Sequence, residues 1–187
     1  MNRLHRWICS SGLWRRALET RILPWVFEDV GLGDSLLEVG AGPGLTTNWL
    51  RSRVPSVTAL EIDSQLAASL KKRLGSANVR VIQGDATQMA FDDATFSSAA
   101  SLTMLHHVPS PELQDQLLRQ VFRVLRPGGW FLGVDSISSL LFQIAHLGDT
   151  LVPVVPESFK RRLEASGFKE AIVERRGRAF RFRAKKR

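Results

Sequence analysis

Apolar residues in this chain fall into short solid runs separated by stretches where they recur every three or four positions. The runs are Ser35–Val39, Ser56–Ile62, Asn78–Gln83, Phe96–Leu102 and Trp130–Val134, the third broken by Arg80 and the fourth built mostly of small residues. Runs of that length read as strands buried on both faces. Between them, Leu66, Leu70 and Leu74 lie one turn apart, and Leu113, Leu117, Leu118, Val121, Phe122 and Leu125 share one face of a helix over 111–125. Residues 13–27 space Leu18, Ile22 and Trp25 in the same way, with Trp14 a turn earlier and Arg15, Arg16 and Glu19 turned outward. Pro24 predicts a bend or an end in that helix.

Punctuation residues fit between these elements. Thr46 or Thr47 is placed to cap a helix carrying Trp49 and Leu50, and Asp63 or Ser64 to cap the next, which Gly75 stops. Pro127-Gly128-Gly129 is expected to end the 111–125 helix. The tail reads as a short helix over 157–166 closed by Gly167, a strand at Ala171–Arg175, and a strand at 179–185 that alternates Phe180 and Phe182 with Arg181 and Arg183. Two strands joined by a short turn pair antiparallel. The expectation is an α/β, Rossmann-like doubly wound sheet, mostly parallel, ending in a hairpin.

At 187 residues and 44% hydrophobic, the chain can bury one substantial core. We divide it into a basic, amphipathic front segment (1–30), a core (35–135), and an insert with the terminal hairpin (136–187), all in a single domain. Cys9 is the only cysteine, which excludes a disulfide framework and points to a reducing, cytoplasmic setting. No apolar run reaches the ~20 residues that span a bilayer, and the opening residues, with Trp7 and Ile8, lack the pattern of a cleaved leader. The net charge of +8 is concentrated at the ends, in Arg3, Arg6, Arg15, Arg16 and Arg21 and again in Arg175, Arg176, Arg178, Arg181, Arg183, Lys185, Lys186 and Arg187. Such clusters are solvated faces, or they attract nucleic acid, anionic lipid or an acidic substrate.

The candidate chemistry sits just past the strand ends, where open parallel sheets bind ligands. The first run enters Gly40-Ala41-Gly42-Pro43-Gly44, whose glycines supply positive φ and let a ligand lie against the main chain. The third glycine comes one residue earlier than in the dinucleotide fingerprint, where Leu45 stands instead. Glu61 follows the second strand at the distance of a ribose-binding acid, roughly 20 residues. Asp85 follows the third, where a carboxylate can accept from an adenine amine and the Ala86 N–H can donate to a ring nitrogen. Singly, each acid reads as a turn or cap residue. Together they flank one glycine turn.

These motifs resemble the class I S-adenosylmethionine-dependent methyltransferases. The pattern runs from Glu38-x-Gly40-x-Gly42-x-Gly44 through Thr58-Ala59-Leu60-Glu61-Ile62-Asp63 and Gly84-Asp85-Ala86 to Arg123-Val124-Leu125-Arg126-Pro127-Gly128-Gly129. Leu105-His106-His107-Val108 after the fourth strand is similar to the small-molecule branch, including ubiquinone and menaquinone C-methyltransferases. The resemblance implies seven strands in the order 3-2-1-4-5-7-6. It also implies S-adenosyl-L-methionine as cofactor, held by Glu38, Gly40, Ala41, Gly42, Gly44, Glu61, Ile62, Asp85, Ala86, Ser101 and Leu102.

The fourth strand runs into Ser101-Leu102-Thr103-Met104, without the Asn/Asp-Pro-Pro-aromatic motif of amino-directed nucleic-acid methyltransferases, and Cys9 lies outside the domain where cytosine C5 chemistry needs its cysteine. No acidic cluster points to a metal. If the acceptor must lose a proton, His106 and His107 are the candidate bases, with His146 more remote. The insert over 136–156 carries Leu140, Leu141, Phe142, Ile144, Leu147, Leu151, Val152, Val154 and Val155 with only Asp149 charged, so it either covers the sheet or faces a hydrophobic, lipid-like acceptor, with the basic ends approaching an anionic membrane. The alternatives are an RNA methyltransferase guided by those ends, and a non-catalytic binding or scaffold protein. Oligomeric state is not readable from the sequence.

Overall fold

A computed structural model describes residues 12–75 and 78–187. Arg3, Arg6, Trp7, Ile8 and Cys9, and the side chains of Trp14 and Leu141, lie outside the described residues. The elements in chain order are α1 (Gly12–Ala17), a π-helical turn (Leu18–Ile22), α2 (Leu23–Phe27), β1 (Ser35–Val39), α3 (Leu45–Leu50), β2 (Ser56–Glu61), α4 (Ser64–Leu74), β3 (Val79–Gln83) and β4 (Phe96–Leu102). A 3₁₀ turn (Leu105–His107), α5 (Pro111–Val124), β5 (Leu125–Ser136), α6 (Leu140–Ala145), α7 (Pro156–Ala165), β6 (Lys169–Arg176) and β7 (Ala179–Lys185) follow.

All seven strands form one sheet in the order β3-β2-β1-β4-β5-β7-β6. β1 to β5 are parallel, and β7 lies antiparallel between β5 and β6. Alternate residues serve opposite faces. Leu37, Val39, Ala99 and Phe131 pack with Leu117, Leu118 and Val121 of α5 and Phe159 and Leu163 of α7. Leu36, Ala100, Leu132 and Val134 pack with Leu18, Leu23, Val26 and Phe27 of the front segment and Leu50 of α3. The sheet is thereby covered on both sides, which is why its strands read as solid apolar runs.

Three local expectations are corrected. The front helix changes at Leu18–Ile22 rather than at Pro24: the Leu23 N–H reaches back to Leu18 O, and Pro24 falls in the first turn of α2. A proline ring collides with the carbonyl four residues earlier in a regular helix, and the wider turn moves that carbonyl aside. Thr46 and Thr47 do not cap α3. Gly44 does, in the left-handed conformation at φ 79°, while both threonine hydroxyls turn to Glu38. Finally, α5 ends at Val124, before Pro127-Gly128-Gly129. Residues 126–129 bulge out of β5, whose pairing with β4 jumps from Phe96↔Leu125 to Ser98↔Trp130. Asp63 caps α4 as expected, accepting from Gln65 N and Leu66 N.

Many of the C-terminal basic residues are engaged within the fold. Arg181 bonds Trp25 O, Glu28 and Glu174, so β7 clasps the front segment. Lys186 Nζ donates to Phe122 O and Arg123 O at the end of α5, and its burial there lowers the ammonium's pKa. Arg175 pairs with Glu157, and Arg187 with Glu170. Among the described residues no helix is long and apolar enough to cross a membrane.

Candidate active site

The carboxyl ends of β1 to β4 open into a cavity of about 420 Å³. It is lined by the glycine turn, Glu61, Ile62, Asp85 and Ala86, and by Leu18, Leu102, Met104, His107, Val108, Leu113 and Leu117, with Asp149 and Thr150 from the insert.

Glu61 organises the lining around the glycine turn. It is buried, with Oε2 accepting the Gly42 N–H at 2.7 Å and Oε1 the Asp63 N–H at 2.9 Å. One carboxylate thus ties the turn to the end of β2 and keeps lone pairs for further donors. Asp85 Oδ1 accepts from the Thr87 N–H and hydroxyl, so its loop is likewise fixed. Ile62, 65% exposed, offers an apolar face at the rim for a flat ring.

The three glycines differ in what they make room for. A Cβ at Gly44 would meet Leu70 Cδ1 at 2.2 Å, and one at Gly40 would meet Met104 Cγ at 2.1 Å, so these two glycines admit protein side chains. At Gly42, with φ +54°, a Cβ would meet nothing within 4 Å. Gly42 is therefore the one whose missing side chain leaves room for a ligand.

Four expected site residues stand behind the cavity wall. Glu38 is buried beneath the turn, accepting from the Thr46 hydroxyl and, at 2.5 Å, from the Thr47 hydroxyl. Burial raises its pKa to about 7 despite those two bonds. Gly44 is turned toward α4, and Ser101 is fully buried, its Oγ without a hydrogen-bond partner among the described residues.

The fourth, His106, is buried at 1% exposure and held by Asp135, which takes its Nδ1 at 2.5 Å and its backbone N–H at 3.2 Å. Only His107 of the pair lines the cavity, with Nδ1 facing Thr150 O at 3.2 Å. His146, expected to be remote, comes to both: its ring centroid is 5.1 Å from that of His106 and 5.3 Å from that of His107. Asp135 was not singled out by the sequence reading, although a carboxylate at the end of the apolar run Phe131-Leu132-Gly133-Val134 is a signal for a paired, buried acid. Thr103, at φ 53°, adds a strained backbone at the cavity.

The comparisons with known proteins agree with this architecture. Residues 37–133, more than half of the chain, match the methyltransferase domain family. The chain belongs to that family. It is 34% identical over 106 residues to a fatty-acid O-methyltransferase of Mycolicibacterium smegmatis, covering 56% of this chain and 38% of that one. It is 32% identical over 137 residues to a ubiquinone biosynthesis O-methyltransferase of Pseudomonas fluorescens, covering 67% and 55%. The chain thus spans only part of the length of these relatives. A SAM-dependent methyltransferase from Aquifex aeolicus shares the fold, with a TM-score of 0.72 at 20% identity over 90% of this chain and 92% of that one. The family's cofactor is S-adenosylmethionine, and the turn fits it in one testable respect: the space beside Gly42 that a Cβ would fill is open.

Proposed function

We propose that the chain is a single domain that transfers a methyl group from S-adenosylmethionine to a small, hydrophobic acceptor. The observation that carries this reading is the makeup of the cavity's lining beyond the glycine turn and the strand-end acids, where Leu18, Met104, Val108, Leu113 and Leu117 outnumber the polar groups. On this reading Glu61 holds the ribose hydroxyls, Asp85 and Ala86 the adenine edge, and Ile62 its face, while Glu38, Gly44 and Ser101 act from behind by fixing the turn and strand ends.

The cofactor supplies a reactive methyl group, so the protein's tasks are positioning and the exclusion of water. A hydroxyl acceptor must also lose a proton, whereas a carboxylate is already ionised. His107 stands on the wall to receive it: with Nδ1 donating to Thr150 O, its lone pair is on Nε2. His106 would assist through position, locked behind it by Asp135. Relatives named for fatty-acid and ubiquinone-biosynthesis O-methylation support a long-chain or ring hydroxyl or carboxylate as the acceptor class.

Among its described residues the insert enters the cavity through Asp149 and Thr150, whereas Leu140, Ile144, Leu147 and Val155 face outward, each at least 48% exposed. That outward apolar face supports withdrawal of a lipid-like acceptor at an anionic membrane surface. A reducing, cytoplasmic setting goes with this reading. An RNA acceptor gains nothing from Arg181, Arg183 and Lys186, which the fold uses internally.

The deciding experiment supplies labelled S-adenosylmethionine with three acceptor pools: fatty acids, prenylated phenols and total RNA. Label in an apolar product is expected. Label in RNA alone would overturn the acceptor assignment, and tight cofactor binding with no product from any pool would favour a scaffold.

A further inference from the structure

Three of the chain's 4 histidines converge beside the cavity. One ring nitrogen from each of His106, His107 and His146 lies within 4.8 Å of the other two. Phe142 closes over them, with ring centroids 5.0 Å from His106 and 4.3 Å from His146.

Each ring turns Nδ1 to an oxygen: Asp135 Oδ1 at 2.5 Å for His106, Thr150 O at 3.2 Å for His107 and Phe142 O at 2.7 Å for His146. A carbonyl oxygen only accepts, so Nδ1 carries the proton in His107 and His146 and the lone pair is on Nε2; the Asp135 carboxylate imposes the same tautomer on His106. His106 Nε2 is buried and meets no hydrogen-bond donor or acceptor among the described residues. A buried polar atom in that state calls for water or an ion. Three imidazole lone pairs gathered against phenylalanine, with a carboxylate behind one ring, favour a cation.

We propose that His106, His107 and His146 bind a divalent transition-metal ion of the zinc class through Nε2, with Asp135 as the outer carboxylate that orients His106. Imidazole nitrogen suits zinc, copper and nickel and is a poor match for magnesium or calcium. A carboxylate on the far nitrogen of a ligating histidine is the usual support for such a site. Tetrahedral zinc, with bonds of about 2.0–2.1 Å, sets its nitrogens about 3.3 Å apart, so the rings must close and turn to bring each Nε2 onto the ion. His107, half-buried on the cavity wall, has the most room to move. Three protein ligands leave one coordination position, and His107 sets the site at the border of the cavity. A histidine bound to the ion cannot also take the acceptor's proton, so the metal-loaded and base-competent states of His107 are exclusive.

The site was not legible from acidic clusters, because its ligands are imidazoles and its third member is 39 positions past His107. The inference does not rest on the methyltransferase reading, and metal binding is read without an acceptor or turnover.

The full-length chain without an affinity tag is stripped with a chelator and titrated with Zn²⁺ and with Co²⁺. The expected result is one tightly bound equivalent, the intense visible bands of tetrahedral cobalt, and loss of those bands when zinc is added. His146→Gln should weaken zinc binding at least tenfold and Asp135→Asn by about 10- to 100-fold, while His5→Gln leaves it unchanged. Absence of saturable binding, or equal affinity in the wild type and His146→Gln, would overturn the proposal. Should His146→Gln not fold, the cobalt spectrum of the wild type decides. S-adenosylhomocysteine binding measured on the same stripped sample tells a missing metal site apart from a missing cofactor site.

Discussion

The Glu61 carboxylate accepts the Gly42 N–H at 2.7 Å across 19 residues of sequence, and that bond gives the glycine turn its shape. Glu61→Ala removes two bonds from a buried anion to backbone N–H groups, each contributing about 1.5–3 kcal/mol. Affinity for S-adenosylhomocysteine should fall at least a hundredfold by calorimetry. Glu61→Gln, which can still accept one of the two bonds, should lose less.

Gly42→Ala and Gly44→Ala should fail in different ways. Both force a side chain to positive φ, costing about 1 kcal/mol or more. At Gly44 the new methyl also strikes Leu70, so thermal stability falls most there. At Gly42 it enters open space, so stability changes little more than the backbone term while cofactor binding is lost. A melting curve and a binding isotherm on each variant check the split.

The buried Glu38 makes stability depend on pH. Its folded pKa is raised from 4.5 to about 7, so between those values the folded state holds a proton that the unfolded chain releases. Stability should therefore decline as pH rises from about 4.5 to about 7, by about 3 kcal/mol, and then level off. Glu38→Gln, uncharged throughout, should flatten this component of the profile. The check is denaturant unfolding from pH 5 to pH 8.

Arg181→Met should free the front segment. It removes the bonds to Trp25 O, Glu28 and Glu174, and because both acids are about half exposed the loss should be modest, about 1–3 kcal/mol. Hydrogen exchange should accelerate over residues 12–28 and leave β1 to β4 protected.

Leu113→Arg places a charge in the apolar lining of the cavity, on the helix whose Gln116 donates to Thr87 O. Turnover of an apolar acceptor should fall at least tenfold, and because α5 braces the Asp85–Thr87 loop, affinity for S-adenosylhomocysteine should fall too; steady-state kinetics and calorimetry check both.

The sheet order and the acids at the strand ends were legible because they depend on local signals: apolar runs, glycine spacing, and the carboxylates Glu61 and Asp85 just past strands. Thr46 and Thr47 misled because a hydroxyl near a helix start suits either a cap or a buried carboxylate, and only tertiary packing brings Glu38 within reach. His146 and Asp135 join His106 through the return of the insert and the register of β5, and no periodicity records either. Gly44 stands behind the cavity wall because Leu70 arrives from α4 to take the space where a side chain would be, a contact that glycine spacing does not record.

The order in which the chain supplies its cavity has a further consequence. The glycine turn, Glu61, Asp85 and Thr87 come from one uninterrupted stretch, residues 40–87, whereas the rest of the lining is assembled from Leu18, residues 102–117 and Asp149 with Thr150. On the proposed function, donor recognition is then inherited as a block. Acceptor recognition is distributed among segments that can change one at a time, so on that reading a new substrate can be acquired by substitutions in the front segment or the insert while residues 40–87 stay as they are.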